Sequence, residues 1–191
     1  KTAEDWQTLA RLAQKQDAEL ALFSIRNALA LAPDNFESLT MLAKLQAQNE
    51  DFAAATRSIQ TAELLAQTPY ESLLVALNAM DIARQALDTP AMEAATQRTQ
   101  QYLNTFDSST DLDSFPNAFE SGEYRKHPTW ISGEAYTSLA ATYNFIDREE
   151  IRRASTNNTR AGKVSDYETY IKAHAKYADR ALLAADIAIS R

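Results

Sequence analysis

Cysteine is absent from the 191 residues of this chain, which excludes disulfide bonds and thiolate metal sites and leaves the redox compartment undecided. Glycine is scarce: the chain has 3 glycines, Gly122, Gly133 and Gly162, and none before position 122. Strand hairpins depend on glycine-bearing turns, whereas helix hairpins are joined by Asp, Asn and Pro. The part of the chain before Gly122 is therefore expected to be helical, in keeping with its many strong helix formers.

The sequence also lacks long apolar runs and an excess of positive charge. No run approaches the ~18 apolar residues that cross a bilayer, so we expect no membrane insertion. Lys and Arg number 19 against 26 Asp and Glu, a net charge of −7. Nucleic-acid binding needs a positive field, so we expect no nucleic-acid partner. The chain begins at Lys1 rather than Met, and we expect a processed or trimmed product from which any targeting segment is missing.

Residues 36–69 show helical periodicity in two successive stretches. Apolar residues recur every three or four positions, as on the buried face of an amphipathic helix. Asp51 stands between the stretches and is predicted to cap the second helix. The first stretch presents Leu39, Leu42 and Ala43, and the second presents Ala55, Ile59 and Ala62. The segment is therefore predicted to form one helix hairpin, in which small alanines let the two helices approach closely.

Residues 1–35 repeat this arrangement. The first helix presents Trp6, Leu9 and Ala10, and the second presents Ala21, Ile25 and Ala28. Pro33 is predicted to end the second helix because it lacks an N–H and restricts the residue before it. Asp34 or Asn35 is then predicted to cap the helix that follows.

A third repeat is predicted from Tyr70 onward, with a longer first helix that runs to about Leu87. Thr89 is predicted as the N-cap of its second helix, with Pro90 at the first helical position. The first helix presents Leu73, Ala76 and Met80 on one face, and the second presents Ala95, Thr99 and Tyr102.

These positions resemble the W-x2-L-G-x2-Y…A-x3-F-x2-A…P pattern of the tetratricopeptide repeat (TPR). The chain departs from that pattern at Gln46, where an aromatic is usual, and at Gln67, where proline arrives late. Near the C-terminus, Y-x2-L-A-x2-Y is formed by Tyr136, Leu139, Ala140 and Tyr143, and the second-helix spacing by Ala181, Ala185 and Ala188. The resemblance implies an all-α, right-handed superhelical array of antiparallel helix hairpins, an α-solenoid, with about 3 repeats in residues 1–106 and a C-terminal hairpin in residues 129–191.

Two segments interrupt the predicted array. Residues 107–128 are predicted to be an acidic loop or linker, since Asp107 to Glu123 carries five acids and no basic residue. Asp147 to Glu150 is predicted as a capping box that opens a short helix, followed by a polar loop at 155–163. Around this insertion, residues 144–164, lies a basic patch formed by Arg148, Arg152, Arg153, Arg160 and Lys163. The patch is expected either to dock the acidic segment or to be a solvated face.

In TPR proteins the first helices of successive repeats line a concave groove that holds a peptide or helix of a partner protein. The resemblance implies that this groove is lined here by Gln7, Arg11, Thr40, Lys44, Leu74 and Asn78. Arg11, Lys44 and Asn78 occupy one slot of successive repeats, and the slot carries no acid. We therefore expect a partner segment of acidic character. The lysine and asparagine set that clamps a C-terminal carboxylate in some family members is not matched.

Catalytic and metal-binding residues are few. The chain has 2 histidines, His127 and His174, and none of the common nucleotide-binding, hydrolase or zinc-protease motifs. We expect no enzyme activity, no metal site and no cofactor. The leading expectation is a bacterial adaptor or assembly factor of the periplasm or cell envelope, with the cytoplasm as the alternative compartment. Two other classes stay open: a structural subunit that self-associates through stacked repeats, and a helical enzyme or ligand-binding protein that uses the insertion.

Overall fold

A computed structural model describes the backbone of residues 1–109 and 128–160, and the side chains of 1–107, 131–149, 152 and 153. Across those two backbone ranges the chain forms seven helices and no strand. They are α1 (Ala3–Ala13), α2 (Ala18–Leu31), α3 (Phe36–Gln48), α4 (Phe52–Leu65), α5 (Pro69–Gln85), α6 (Thr89–Ser109) and α7 (Pro128–Arg160). The predicted all-α class is confirmed for this part of the chain.

The chain divides into two compact units, an N-terminal unit of Lys1–Ala91 and a C-terminal unit of Met92–Arg191. The sequence predicted one array over residues 1–106, with α6 completing a third hairpin. The division between the two units falls in the first turn of α6, so that most of this helix groups with the C-terminal unit.

In the N-terminal unit each helix packs against its neighbours in sequence. α1 packs on α2 and α3 on α4, which gives the two predicted hairpins, and α2 also packs on α3 and α4 on α5. α3 contacts α5 as well, so that the first helices of successive hairpins adjoin. Because consecutive helices joined by short turns run antiparallel, α1, α3 and α5 run in the same direction.

Alanines occupy the helix crossings of this unit. In the first hairpin Ala10, Ala21 and Ala28 are buried around Ile25. In the second, Ala43, Ala55 and Ala62 are fully buried beside Leu39 and Ile59. The buried members of both predicted faces are thus confirmed, while Trp6, Leu9 and Leu42 are half-buried. Burying a side chain such as Ile25 or Ile59 stabilises the unit by roughly 1.5–3 kcal/mol, and the methyl side chains beside it keep the helix axes close.

Each helix of the N-terminal unit begins with a side chain that caps its own first turn. The cap residues of α1 to α5 are Thr2, Asp17, Asn35, Asp51 and Thr68. Asn35 and Asp51 were predicted. The prediction of Thr89 as the cap of α6 was wrong: the amide of Ala91 donates to Oδ1 of Asp88 at 3.0 Å. Thr89 instead lies within the first turn, because the carboxylate one residue earlier is the better capping acceptor.

Two turns between helices contain a residue in the left-handed region. Glu50 has φ 61° and Leu87 has φ 55°. Each directly follows the last turn of a helix, and the next amide, of Asp51 or Asp88, donates to a carbonyl in that turn at 2.9 and 3.0 Å. This is the Schellman arrangement, in which the left-handed position usually belongs to glycine. In this glycine-poor chain, Glu50 and Leu87 therefore occupy the left-handed positions that glycine usually takes.

The C-terminal unit has its described core on one face each of α6 and α7. Ala95 and Thr99 of α6 are buried as predicted, while Leu103 rather than Tyr102 is the fully buried residue that follows. On α7 the Y-x2-L-A-x2-Y segment lies on the packed face, with Tyr136, Leu139 and Tyr143 buried. The two helices are joined by a 3.3 Å hydrogen bond from Tyr136 Oη to Asp107 Oδ2.

α7 runs unbroken from Pro128 to Arg160. The predictions of a new helix opening at Asp147 and of a polar loop from residue 155 were therefore wrong as far as Arg160. No Gly or Pro stands between Gly133 and Gly162, and Asp147 is itself 5% exposed within the helix. Asp147 therefore lies inside a continuous helix, and its spacing to Glu150 does not mark a helix start here.

Other predictions fall at or beyond the edge of the described residues. α6 ends at Ser109, inside the predicted acidic loop, so the start of that loop is helical. Predictions for residues 110–127 and 161–191 lie outside the described residues. They include His127, His174, Lys163 and the second-helix alanines Ala181, Ala185 and Ala188.

Candidate functional site

A concave pocket of about 460 Å³ lies between α1, α3 and the start of α5, within the N-terminal unit. We call it the α1–α3–α5 groove. Its lining includes five of the six residues predicted for a partner-binding groove, namely Gln7, Arg11, Thr40, Lys44 and Leu74. A predicted set taken from three separate stretches of sequence thus comes together at one concavity.

Asn78, the sixth predicted residue, is placed elsewhere. It does not line the groove and its side chain is 6% exposed. Its Nδ2 is buried without a hydrogen-bond partner among the described residues. α5 is buried on more than one side, with Leu73, Val75 and Met80 all covered, so a position that is open on α1 and α3 is enclosed on α5.

The two cations of the groove, Arg11 and Lys44, are both exposed. Within the described part of the chain neither takes part in an ion pair. Arg11 lies in the last turn of α1, and Lys44 lies beyond the middle of α3. Because the two helices run in the same direction, both cations lie toward the C-terminal ends of the helices that line the groove. An anion in the groove would find two unneutralised positive side chains there.

The groove also contains two acids that the sequence reasoning did not include among its lining. Glu37 Oε2 accepts a 3.1 Å hydrogen bond from Gln7 Nε2, which ties α3 to α1. Glu71 Oε2 accepts from the amides of Gln67 at 2.8 Å and Thr68 at 3.0 Å, and from Thr68 Oγ1 at 3.1 Å. These bonds, that from the Gln67 amide first, hold the pKa of Glu71 below its ordinary value. Each acid lies in the first turn of its helix, where the helix dipole also favours a carboxylate.

Apolar side chains complete the lining. Phe36, Met41 and Leu74 are half-buried, and Tyr70 is 43% exposed. Phe36 and Tyr70 each open a predicted hairpin, one repeat period of ~34 residues apart, and Glu37 and Glu71 follow them directly. The repeat period therefore contained the signal that identifies these residues. An accessible tyrosine beside a charged rim is typical of protein interfaces, because its ring buries area and its hydroxyl still bonds to polar groups.

No family model, curated protein or solved structure shows a significant match to the chain. The TPR resemblance accordingly rests on the residues and contacts given above. Among the described helices, none combines the length and apolar character needed to cross a membrane. The described residues also contain no group of three or more His, Cys, Asp or Glu side chains placed to hold a metal ion.

The predicted basic patch is described only in part. Arg148, Arg152 and Arg153 are exposed on α7. Arg152 donates hydrogen bonds to Glu149, with Nε 3.2 Å from both carboxylate oxygens and Nη2 2.8 Å from Oε2. This pair lowers the pKa of Glu149 and raises the pKa of Arg152. Part of the positive charge is thus satisfied on the helix itself, while the side chain of Arg160, Lys163 and the acidic segment predicted to dock there lie outside the described residues.

Proposed function

We propose that this chain is a protein–protein interaction module that holds an acidic segment of a partner protein in the α1–α3–α5 groove. The observation that carries the proposal is the convergence in one concavity of two exposed cations, Arg11 and Lys44, with the accessible ring of Tyr70. Neither cation forms an ion pair with a described residue. The chain has a net charge of −7, so most of its surface repels a carboxylate. A site with exposed positive side chains would attract one, and a carboxylate ligand would therefore prefer this site.

The packing of the N-terminal unit supports a TPR-like α-solenoid as the framework of this module. The second helix of each hairpin packs on the first helix of the next, α2 on α3 and α4 on α5. The first helices also adjoin, α1 with α3 through Gln7 and Glu37, and α3 with α5. Stacked hairpins of this kind produce extended concave surfaces. An adaptor or assembly factor would use that surface to hold its partner.

The test is a double charge reversal, Arg11→Glu with Lys44→Glu. Both side chains are exposed, so the variant should melt like the parent, and its affinity for the partner should fall by roughly 1–3 kcal/mol where the pairs are partly buried. Partners are isolated with the intact chain as bait, and affinities are measured by calorimetric titration.

The matched control reverses Arg26 and Arg57, which are exposed on α2 and α4 and lie outside the groove. The control variant should bind like the parent. A groove variant that melts normally and binds as well as the control would show that the groove is not the site.

A structural subunit that self-associates is the second candidate, favoured by exposed apolar side chains on the first hairpin. Leu12, Phe23 and Leu31 are 71%, 57% and 58% exposed. Phe23 is also the outer partner of Trp6, at 5.7 Å between ring centroids in an edge-to-face pair. Exposed apolar groups of this kind favour contact with another apolar surface, such as that of a second copy. Light scattering over a concentration series tests this, and a monomer at every concentration would exclude it.

A further inference from the structure

The α1–α3–α5 groove has two poles of opposite charge along α3. Glu37 and Lys44 are seven positions apart on this helix, which places them on one face, about 10 Å apart along the axis. Both line the groove. Arg11 lies one turn beyond Gln7, and Gln7 is bonded to Glu37, so the hydrogen bond between α1 and α3 fixes which end of the groove Arg11 occupies. The positive pole is therefore Arg11 with Lys44, and the negative pole is Glu37.

The carboxylate of the negative pole can accept further hydrogen bonds, and aromatic rings lie at the same end of the groove. Glu71 has Oε2 engaged by three donors of its own capping turn, whereas Glu37 receives one hydrogen bond, on Oε2. The Oε1 atom of Glu37 accepts none from the described residues. Tyr70 opens α5 as Phe36 opens α3, so both rings lie toward the end of the groove that Glu37 occupies. A carboxylate beside accessible aromatic rings is a favourable setting for an ammonium or guanidinium group.

Between the poles the lining includes two apolar side chains, Met41 and Leu74. Met41 lies one turn after Glu37 and before Lys44, and Leu74 lies one turn after Tyr70. Both are half-buried and line the groove without offering a charged group. Alternate side chains of an extended peptide face the same way, so the first, third and fifth residues of a bound segment would face the groove over about 13 Å. The third side chain would then lie over Met41 and Leu74.

Resting on the proposed function, we infer that the groove selects a dipolar segment and holds it in one direction. The segment has a carboxylate at Arg11 and Lys44 and, about four extended residues away on the same face, a lysine or arginine at Glu37, with an apolar side chain midway between them. A segment with acids at both ends would place one of them against Glu37, and a reversed segment would place both charges against like charges. The anionic pole thus adds selectivity and direction to the attraction of the cationic pole.

The test uses two capped peptides that share a glutamate and a leucine. The dipolar peptide has a lysine four positions from the glutamate with the leucine midway, so that all three face the same way when the peptide is extended. The control peptide has glutamine in place of the lysine. Amide chemical-shift changes in the ¹⁵N-labelled intact chain give both affinities. The dipolar peptide should bind roughly 2- to 5-fold more tightly, the range for partly exposed ion pairs. A nitroxide beside its glutamate should broaden the amide signal of Lys44 more than that of Glu37.

The protein variant for this test is Glu37→Lys, which should remove the preference for the dipolar peptide. Glu37→Gln, which retains a hydrogen-bond acceptor for Gln7, should reduce it. The matched control is Glu4→Lys, a first-turn acid of α1 that does not line the groove, and it should leave the preference unchanged.

The experiment distinguishes failure of the dipolar selection from failure of the proposed function. If both peptides bind the parent equally and Glu37→Lys changes neither affinity, the dipolar selection is wrong while the groove remains a site for carboxylates. If neither peptide shifts the amide signals of Arg11 and Lys44, the proposed function itself is wrong. Equal broadening at both poles would overturn the single direction of docking.

Discussion

Ser58 Oγ donates a 2.7 Å hydrogen bond to Oε1 of Gln46, which joins α4 to α3 across the second hairpin. Both side chains are half-buried. Gln46 stands where the repeat that this hairpin resembles usually carries an aromatic ring. A hydrogen-bonded polar pair thus occupies the place of a large apolar side chain. It fixes the register of the two helices through the geometry of the hydrogen bond rather than through the packing of a large side chain.

This pair should be measurable as a coupling free energy. Gln46→Ala and Ser58→Ala should each lower the free energy of unfolding. The double variant should lower it by about 0.5–1.5 kcal/mol less than the sum of the two single losses. Urea denaturation gives the four free energies of unfolding. The control cycle pairs Gln46→Ala with Thr56→Ala, because the hydroxyl of Thr56 bonds to the Phe52 carbonyl of its own helix. A coupling as large in the control cycle would contradict the assignment.

Glycine should be favourable at the two left-handed turn positions. Glu50→Gly and Leu87→Gly should each raise the free energy of unfolding by roughly 0.5–1 kcal/mol, because φ values of 61° and 55° cost a residue with a Cβ atom more than they cost glycine. Thermal or urea melts measure the gain. Glu50→Ala is the control for loss of the carboxylate and should bring no such gain. Destabilisation by both glycine variants would show that these turns are not strained.

Overpacking should reveal the close approach of α3 and α4. Ala62 is fully buried, so Ala62→Leu should cost on the order of 1–3 kcal/mol. Ala53 lies on the exposed side of the same helix, and Ala53→Leu should change the free energy of unfolding by no more than about 0.5 kcal/mol. The difference between their denaturation midpoints is the informative quantity, and equal midpoints would mean that the helix register is wrong.

The capping turn of α5 should make stability depend on acid pH. The pKa of Glu71 is lowered in the folded chain by hydrogen bonds from Gln67 and Thr68. A lowered folded pKa means that ionised Glu71 contributes stability above its unfolded pKa of roughly 4.3 and that this contribution is lost as pH falls through the folded pKa.

Glu71→Gln should therefore destabilise the protein at neutral pH and flatten its acid dependence below pH of about 5. Thr68→Ala should cost about 1 kcal/mol at neutral pH through loss of the cap. Melts across a pH series test both, with Glu4→Gln as the control, since that carboxylate accepts no capping hydrogen bond in the described structure. An unchanged pH slope in Glu71→Gln would contradict this origin of the acid dependence.

The hairpin cores could be predicted from the sequence because their signal is periodic. Ala55, Ile59 and Ala62 fall at helical spacing between a capping Asp and a late proline, and burial follows from that spacing. Predictions of the cores need only the local helical geometry and the order of the helices. Gln7, Arg11 and Lys44 were assigned to the groove through the resemblance to the TPR pattern, which supplied the positions that face a groove.

The remaining differences arise where local sequence and packing compete. Asp147 has the spacing of a capping box, yet the packed stripe of Leu139, Tyr143 and Ile146 continues the helix through it. Asn78 shares the repeat position of Lys44, but burial of α5 on more than one side encloses it. The bond between Gln7 and Glu37 joins side chains from different hairpins, and no one-dimensional pattern specifies such a pair.

The caps at the start of α1 to α5 have a consequence for the order in which the chain acquires structure. Thr2, Asp17, Asn35, Asp51 and Thr68 each satisfy amides within their own helix, so the cost of nucleating a helix is offset before any neighbour is present. The helices then meet partners that are adjacent in sequence, which keeps the loops that close short. The N-terminal unit can therefore begin folding at any of its helices, and chains dominated by such local contacts fold in microseconds to milliseconds.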